Sequence, residues 1–145
     1  MELGLYSSLA ARAVSIAATG ILHGHVPSRP IDVIRFGLIV TTAATVSGTF
    51  LLKRRPTPGS ASGEVTLGTV TMVTASRAIG SVLFADVNAA VSRINPGAEV
   101  VIDCTVAATT GVATMFLDFQ QRGLHKRDLS SAYYVKLFDS NPTVG

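Results

Sequence analysis

The sequence contains no tryptophan, one cysteine and few charges. A lone Cys104 excludes an internal disulfide. Set in an apolar stretch, it reads as a small core residue and suits a reducing compartment. Charged residues make up 14% of the chain, against about 25% in an average globular protein, while hydrophobic residues reach 48%. Such a chain either buries its helices nearly all round or holds them in lipid. Also missing are glycine-rich phosphate loops, metal-ligand spacings of histidine and cysteine, and nucleophile elbows. No nucleophile, base or metal can be named, so the expectation is a binding protein without cofactor, not an enzyme. The N-terminus lacks the basic region, apolar block and cleavage site of a secretory signal. That points to the cytoplasm.

The 145 residues fit one domain, residues 1–145, and a chain of this length buries roughly 68–70% of its unfolded surface. The net charge of +3 comes partly from Lys53-Arg54-Arg55 and Lys126-Arg127. Both runs fall where helices should stop, where cations complement the carbonyl end of the dipole. Neither forms the broad basic stripe of a nucleic-acid binder. Leu5, Leu9, Ala13, Ile16 and Gly20 line up apart from Ser8, Arg12, Ser15 and Thr19, which predicts an amphipathic helix over 2–22. Pro30 opens a second helix running toward Leu52, with Asp32 in its first turn. Arg55 to Gly63 is the one obvious loop. A helical pattern resumes near Val65, turns a corner at Thr74-Ala75-Ser76, and runs on to Ile94. That last part is apolar over most of its circumference. Asn95-Pro96 then caps a helix to about Gln121, with Gly123 as its stop, and Asp128 caps a short final helix carrying Leu129, Tyr133, Leu137 and Phe138. Valine, threonine and alanine are abundant enough for strands, but alternation is rare and the runs are long. The expected fold class is all-α, a single-domain helical bundle around a central apolar helix. His23 and His25 are two apart and share no helix face; without a carboxylate or cysteine nearby they read as a loop pair. His125 sits in a basic turn.

The order of these helices resembles the Bcl family of apoptosis regulators. Around the corner the run is Thr74-Ala75-Ser76-Arg77, followed by Gly80, Phe84 and Ala85 at the offsets of that family's first homology motif. The motif's Asn, Trp and Gly are replaced; its arginine and phenylalanine are kept. Asp118-Phe119-Gln120-Gln121-Arg122-Gly123-Leu124 looks like a shortened second motif, and Ile34-Arg35 with Gly37 is similar to the family's Leu-Arg and Gly. Leu38 stands where pro-death ligands need an aspartate, so the resemblance implies a survival-type inhibitor of apoptosis. Its partners are then pro-death Bcl-family proteins, bound through their amphipathic helix in a hydrophobic groove. Arg77 is expected to pair the partner's aspartate, beside Thr74 and Ser76. Val70, Val73, Ile79, Gly80 and Phe84 form wall and floor. Val40 and Ala44 line the other side, where plain core packing explains them equally well. The short connector from His23 to Arg29 and the end at Asn141-Pro142-Thr143-Val144-Gly145, with no apolar anchor, resemble the compact versions that viruses carry. The implied location is cytoplasmic, or the mitochondrial surface through partners, and a homodimer is compatible with the sequence.

The alternative is a small multi-helix integral membrane protein, with spans near Ala10–Leu22, Phe36–Leu52, Val65–Phe84 and Val100–Leu117. The longest uncharged run, Phe36 to Leu52, has about 17 residues, the lower limit for a span, and several threonines weaken it.

Overall fold

The computed structural model of the protein describes residues 2–125, and the side chains of residues 6–121 within them. Those residues contain strands and one short 3₁₀ turn, and no α-helix. The strands are β1 (Glu2–Ser15), β2 (Gly20–His25), β3 (Ile31–Thr42), β4 (Thr49–Arg55), β5 (Val65–Thr71), β6 (Val82–Asp86), β7 (Arg93–Ile94), β8 (Glu99–Val106) and β9 (Val112–His125). The 3₁₀ turn covers Thr74–Arg77.

The all-α, Bcl-like helical bundle is therefore wrong, and both the pro-death helix groove and the multi-helix membrane protein fall with it. The segment read as a first helix is β1 and β2; 30–52 is β3, a turn and β4; 65–94 is β5, the 3₁₀ turn, β6 and β7; 95–121 is a turn, β8 and most of β9. The membrane spans were drawn across these strands and turns, and among the described residues no helix is long and apolar enough to cross a membrane. The short helix expected after Asp128 lies outside the described residues.

The burial pattern shows why strands win. In β9, Ala113, Met115, Leu117 and Phe119 are buried, and Val112, Thr114, Phe116, Asp118 and Gln120 between them are partly open. In β8, Val100, Ile102 and Cys104 enter the core; in β4, Phe50 and Leu52 do. That is a period of two, the pleat of a half-buried strand, built from the β-branched and aromatic residues that suit it.

Two antiparallel sheets face each other. Sheet I runs β1-β9-β3-β6, with β7 also on β3; sheet II runs β2-β8-β4-β5. The pairing is nested about the loop at 56–64: β4 pairs with β5, β3 with β6 and β7, β2 with β8, and β1 with β9. One long hairpin is thus rolled up, and rolling adds the β3–β9 and β4–β8 pairs. This is the topology of a jelly roll, which disposes of most sheet edges by wrapping.

Phe36, Leu38, Met115 and Leu117 of sheet I meet Phe50, Leu52, Ile102 and Cys104 of sheet II in the core. Burying each large side chain contributes about 1.5–3 kcal/mol. Gly68 makes room for the largest: a Cβ there would sit 2.9 Å from Phe36 Cε1. The Cys104 thiol is buried and donates to the Val106 carbonyl at 3.2 Å. Burial first, then the neighbouring Asp103 charge, pushes its pKa up, so it stays protonated and packs as a core residue.

Candidate binding face

The outward side chains of sheet I follow from the register. Ser8, Asp118, Arg35 and Asp86 stand in one row across four strands, and Ala10, Phe116, Gly37 and Phe84 in the next. Beyond them come Thr114, Ile39 and Val82.

The first row is polar and linked. The Ser8 hydroxyl donates to Asp118 Oδ1 at 2.6 Å. Arg35 Nε lies 4.0 Å from Asp118 Oδ2 and 3.7 Å from Asp86 Oδ1. The Arg35 guanidinium also lies 5.4 Å from the centroid of the Phe84 ring, within cation–π range. The second row is apolar and cannot tolerate a side chain at its centre. A Cβ on Gly37 would collide with the Leu83 carbonyl and fall 2.7 Å from Phe116 Cζ. Phe116 leans over Gly37, and Phe84 stands on the far side.

The polar row divides two shallow depressions. One, of about 450 Å³, is lined by Ala10, Ile39, Val82, Phe84 and Phe116. The other, of about 470 Å³, is lined by Tyr6, Ser7, Ile34 and Phe119. Both share Ser8, Arg35 and Asp118. Phe84 is 54% exposed and Val82 57%, which is high for large apolar side chains standing side by side on one sheet face.

The outer face of sheet II is satisfied from within. Lys53 Nζ donates to Asp103 at 2.9 Å and to Glu64 at 3.0 Å; Arg55 Nε donates to Glu64 at 3.1 Å. Glu99 accepts from the Gly59 amide at 3.0 Å, which fastens the 56–64 loop to the sheet. The hydrogen bonds to Asp103 and Glu64 raise the Lys53 pKa, and the Lys53 ammonium, then Arg55, lowers that of Glu64. These charges are occupied with one another.

The residues expected to form a helix groove are distributed differently. Val40, Ala44 and Val70 are buried in the core. Arg77 does not open a helix; it closes the 3₁₀ turn, and its guanidinium is held by its own chain. It donates to Thr45 O at 2.8 Å, Ser47 Oγ at 3.0 Å and Thr74 Oγ1 at 3.1 Å, and the Ala44 amide donates to its carbonyl at 3.0 Å. Ser76 is spent on the turn, accepting from the Val73 amide at 2.8 Å. Gly80 has φ +88° and its amide donates to Val40 O. Val73 and Ile79 are exposed on the connection between β5 and β6. A depression of about 340 Å³ beside those strands brings together Val70, Val73, Ser76 and Phe84; the other six do not line it. Of the ten, Phe84 alone belongs to the open face.

On β2, His23 pairs across with Ile102 and His25 with Val100, both core residues, so the imidazoles share the inner side of the strand. His25 stacks on Phe119 with centroids 5.9 Å apart. Burial lowers both pKa values, and the neighbouring His25 adds to the effect at His23.

No protein-family model matches the chain, and no curated protein matches it. The outer row of β9 escaped sequence reasoning, although the signal was present. Alternation from Val112 to Gln121 puts Phe116 and Asp118 on the side opposite Met115 and Leu117.

Proposed function

We propose that the protein is an assembly module, a binding protein and not an enzyme, whose open face on sheet I docks against the same face of a second copy. The observation that carries this reading is the exposure of Phe84 and Val82 beside the Phe116 ring, on a face that no described residue covers. Contiguous exposed apolar surface of this kind marks interaction sites. The jelly roll alone does not choose a partner, since shell-forming and sugar-binding proteins share it.

The charge pattern favours a second copy. Asp86 and Asp118, with Arg35 between them, leave one net negative charge on one side of the apolar row. On the other, Arg12 is exposed at the bulge of β1 and forms no ion pair among the described residues. A two-fold axis along the Ala10–Phe116–Gly37–Phe84 row stacks the two apolar rows. It also lays Arg12 of one copy against the Ser8–Asp118 pair of the other, an isologous contact. Strand addition along the edge of β1 is the weaker route, because bulges at Leu3/Leu5 and Ala11/Val14 interrupt it.

Sedimentation of the full chain across the micromolar range tests the reading. The expected result is a reversible dimer. Phe84→Ser should raise its dissociation constant at least about thirtyfold, the loss of an exposed aromatic anchor worth about 2 kcal/mol. Arg12→Glu should weaken it further in low salt than in high. A monomer at every concentration, or a dimer indifferent to both substitutions, overturns the proposal.

A further inference from the structure

His23 and His25 take no part in the open face or in the ion-pair network of sheet II. They lie on the opposite edge of the sandwich, where β2 faces β1 and β9. A strand puts residues two apart on one side, about 6.6 Å from each other along the backbone, so His-Gly-His presents both imidazoles inward. The Nε2 atom of His23 is buried and has no hydrogen-bond partner. An orphaned buried nitrogen is costly, and a bound water or ion is a usual reason for one. Among the described residues, neither imidazole is hydrogen-bonded. His25 opens into a cleft of about 360 Å³ whose wall also carries Ser7, Ser28 and Gln121.

We propose that His23 and His25 are the two protein ligands of a site for a late first-row divalent cation, Cu²⁺, Ni²⁺ or Zn²⁺, at the inner edge of β2. Neutral imidazole is the ligand these ions select, at about 2.0–2.1 Å for zinc. Water entering by the cleft completes the coordination. Among the described residues no carboxylate lines that cleft and the one charged side chain on its wall is Arg29, so the hard cations Mg²⁺ and Ca²⁺ find no negative charge there. Burial already keeps both imidazoles neutral near pH 7, so binding releases few protons.

Calorimetric titration of the full chain with Cu²⁺, Ni²⁺, Zn²⁺ and Ca²⁺ is the test. One ion per chain should bind, Cu²⁺ tightest, with no heat from Ca²⁺. His23→Asn and His25→Phe, the second keeping an aromatic ring against Phe119, should each weaken binding at least about tenfold. In unsubstituted protein, Ni²⁺ should broaden the ring resonances of His23 and His25 before that of His125, which identifies the ligands even if a variant fails to fold. Absence of Cu²⁺ binding, full binding in both His23→Asn and His25→Phe, or broadening confined to His125 overturns the proposal.

Discussion

At the scale of single residues, Arg77 shows how a chemically correct suspicion finds a different use. A cation at a helix start needs a functional reason, because it opposes the dipole. The physical premise fails here: no helix follows, and the guanidinium bridges the 44–48 turn to the 74–77 turn through Thr45, Ser47 and Thr74. Arg77→Ala should lower stability by about 1–2 kcal/mol, discounted for the partial exposure of these bonds. Arg77→Lys should recover little, because an ammonium cannot supply the planar fork that reaches three acceptors. Urea melts of the two variants beside the parent chain check both statements; equal recovery by lysine would mean that charge alone matters there.

At the scale of elements, corners were legible and element types were not. The loop after Arg55 and the break at Asn95-Pro96 lie where glycine, proline and asparagine place them, and the turn at Thr74 falls on the short polar run Thr74-Ala75-Ser76. Those residues end strands as readily as helices. Leu5, Leu9 and Ala13 are four apart, a spacing that serves a helix and a strand alike, since four is two strand periods. Bulges then shift parity in β1, β2 and β3, which breaks the alternation that would have decided the matter. Outward Phe116 and Ile39 erase more of it, so the open face that defines the candidate site also disguised the strands beneath it. The same change of element type moves His23 and His25 from a loop pair to one side of β2. Their lowered pKa values have a definite sign for stability. Above 6.5, the ordinary value, both states are neutral and stability is full. As the pH falls below it, the unfolded chain takes up protons first, and stability declines until the folded-state values are passed. Arg29, on the wall of the same cleft, adds no negative charge to relieve this. Urea midpoints at pH 7.5 and pH 5 should differ in the parent chain and differ less in His23→Asn; the opposite ordering would show that these imidazoles gain protons on folding.

At the scale of the whole molecule, nesting sets the order of folding. Closing the β4–β5 pair spans about ten residues, and closing β1 on β9 directly spans about a hundred. The longer closure costs about 2 kcal/mol more in chain entropy, from the logarithm of the ratio of lengths. If β4 and β5 pair first, every later pair closes only a short remaining loop, so zipping outward from 56–64 is the cheapest route. The ion pairs of Lys53 and Arg55 with Glu64 brace that hairpin locally. Refolding should therefore take milliseconds to seconds, the range of all-β domains with distant pairings. Leu52→Ala on β4 and Leu117→Ala on β9 both remove fully buried side chains and should each cost about 2–5 kcal/mol. They should divide that cost differently. Leu52→Ala should chiefly slow folding, because its contacts form in the nucleus, whereas Leu117→Ala should chiefly speed unfolding. Stopped-flow chevrons of the two variants separate the cases, and a slowed folding limb for Leu117→Ala with an unchanged one for Leu52→Ala would place the nucleus at the outer strands instead.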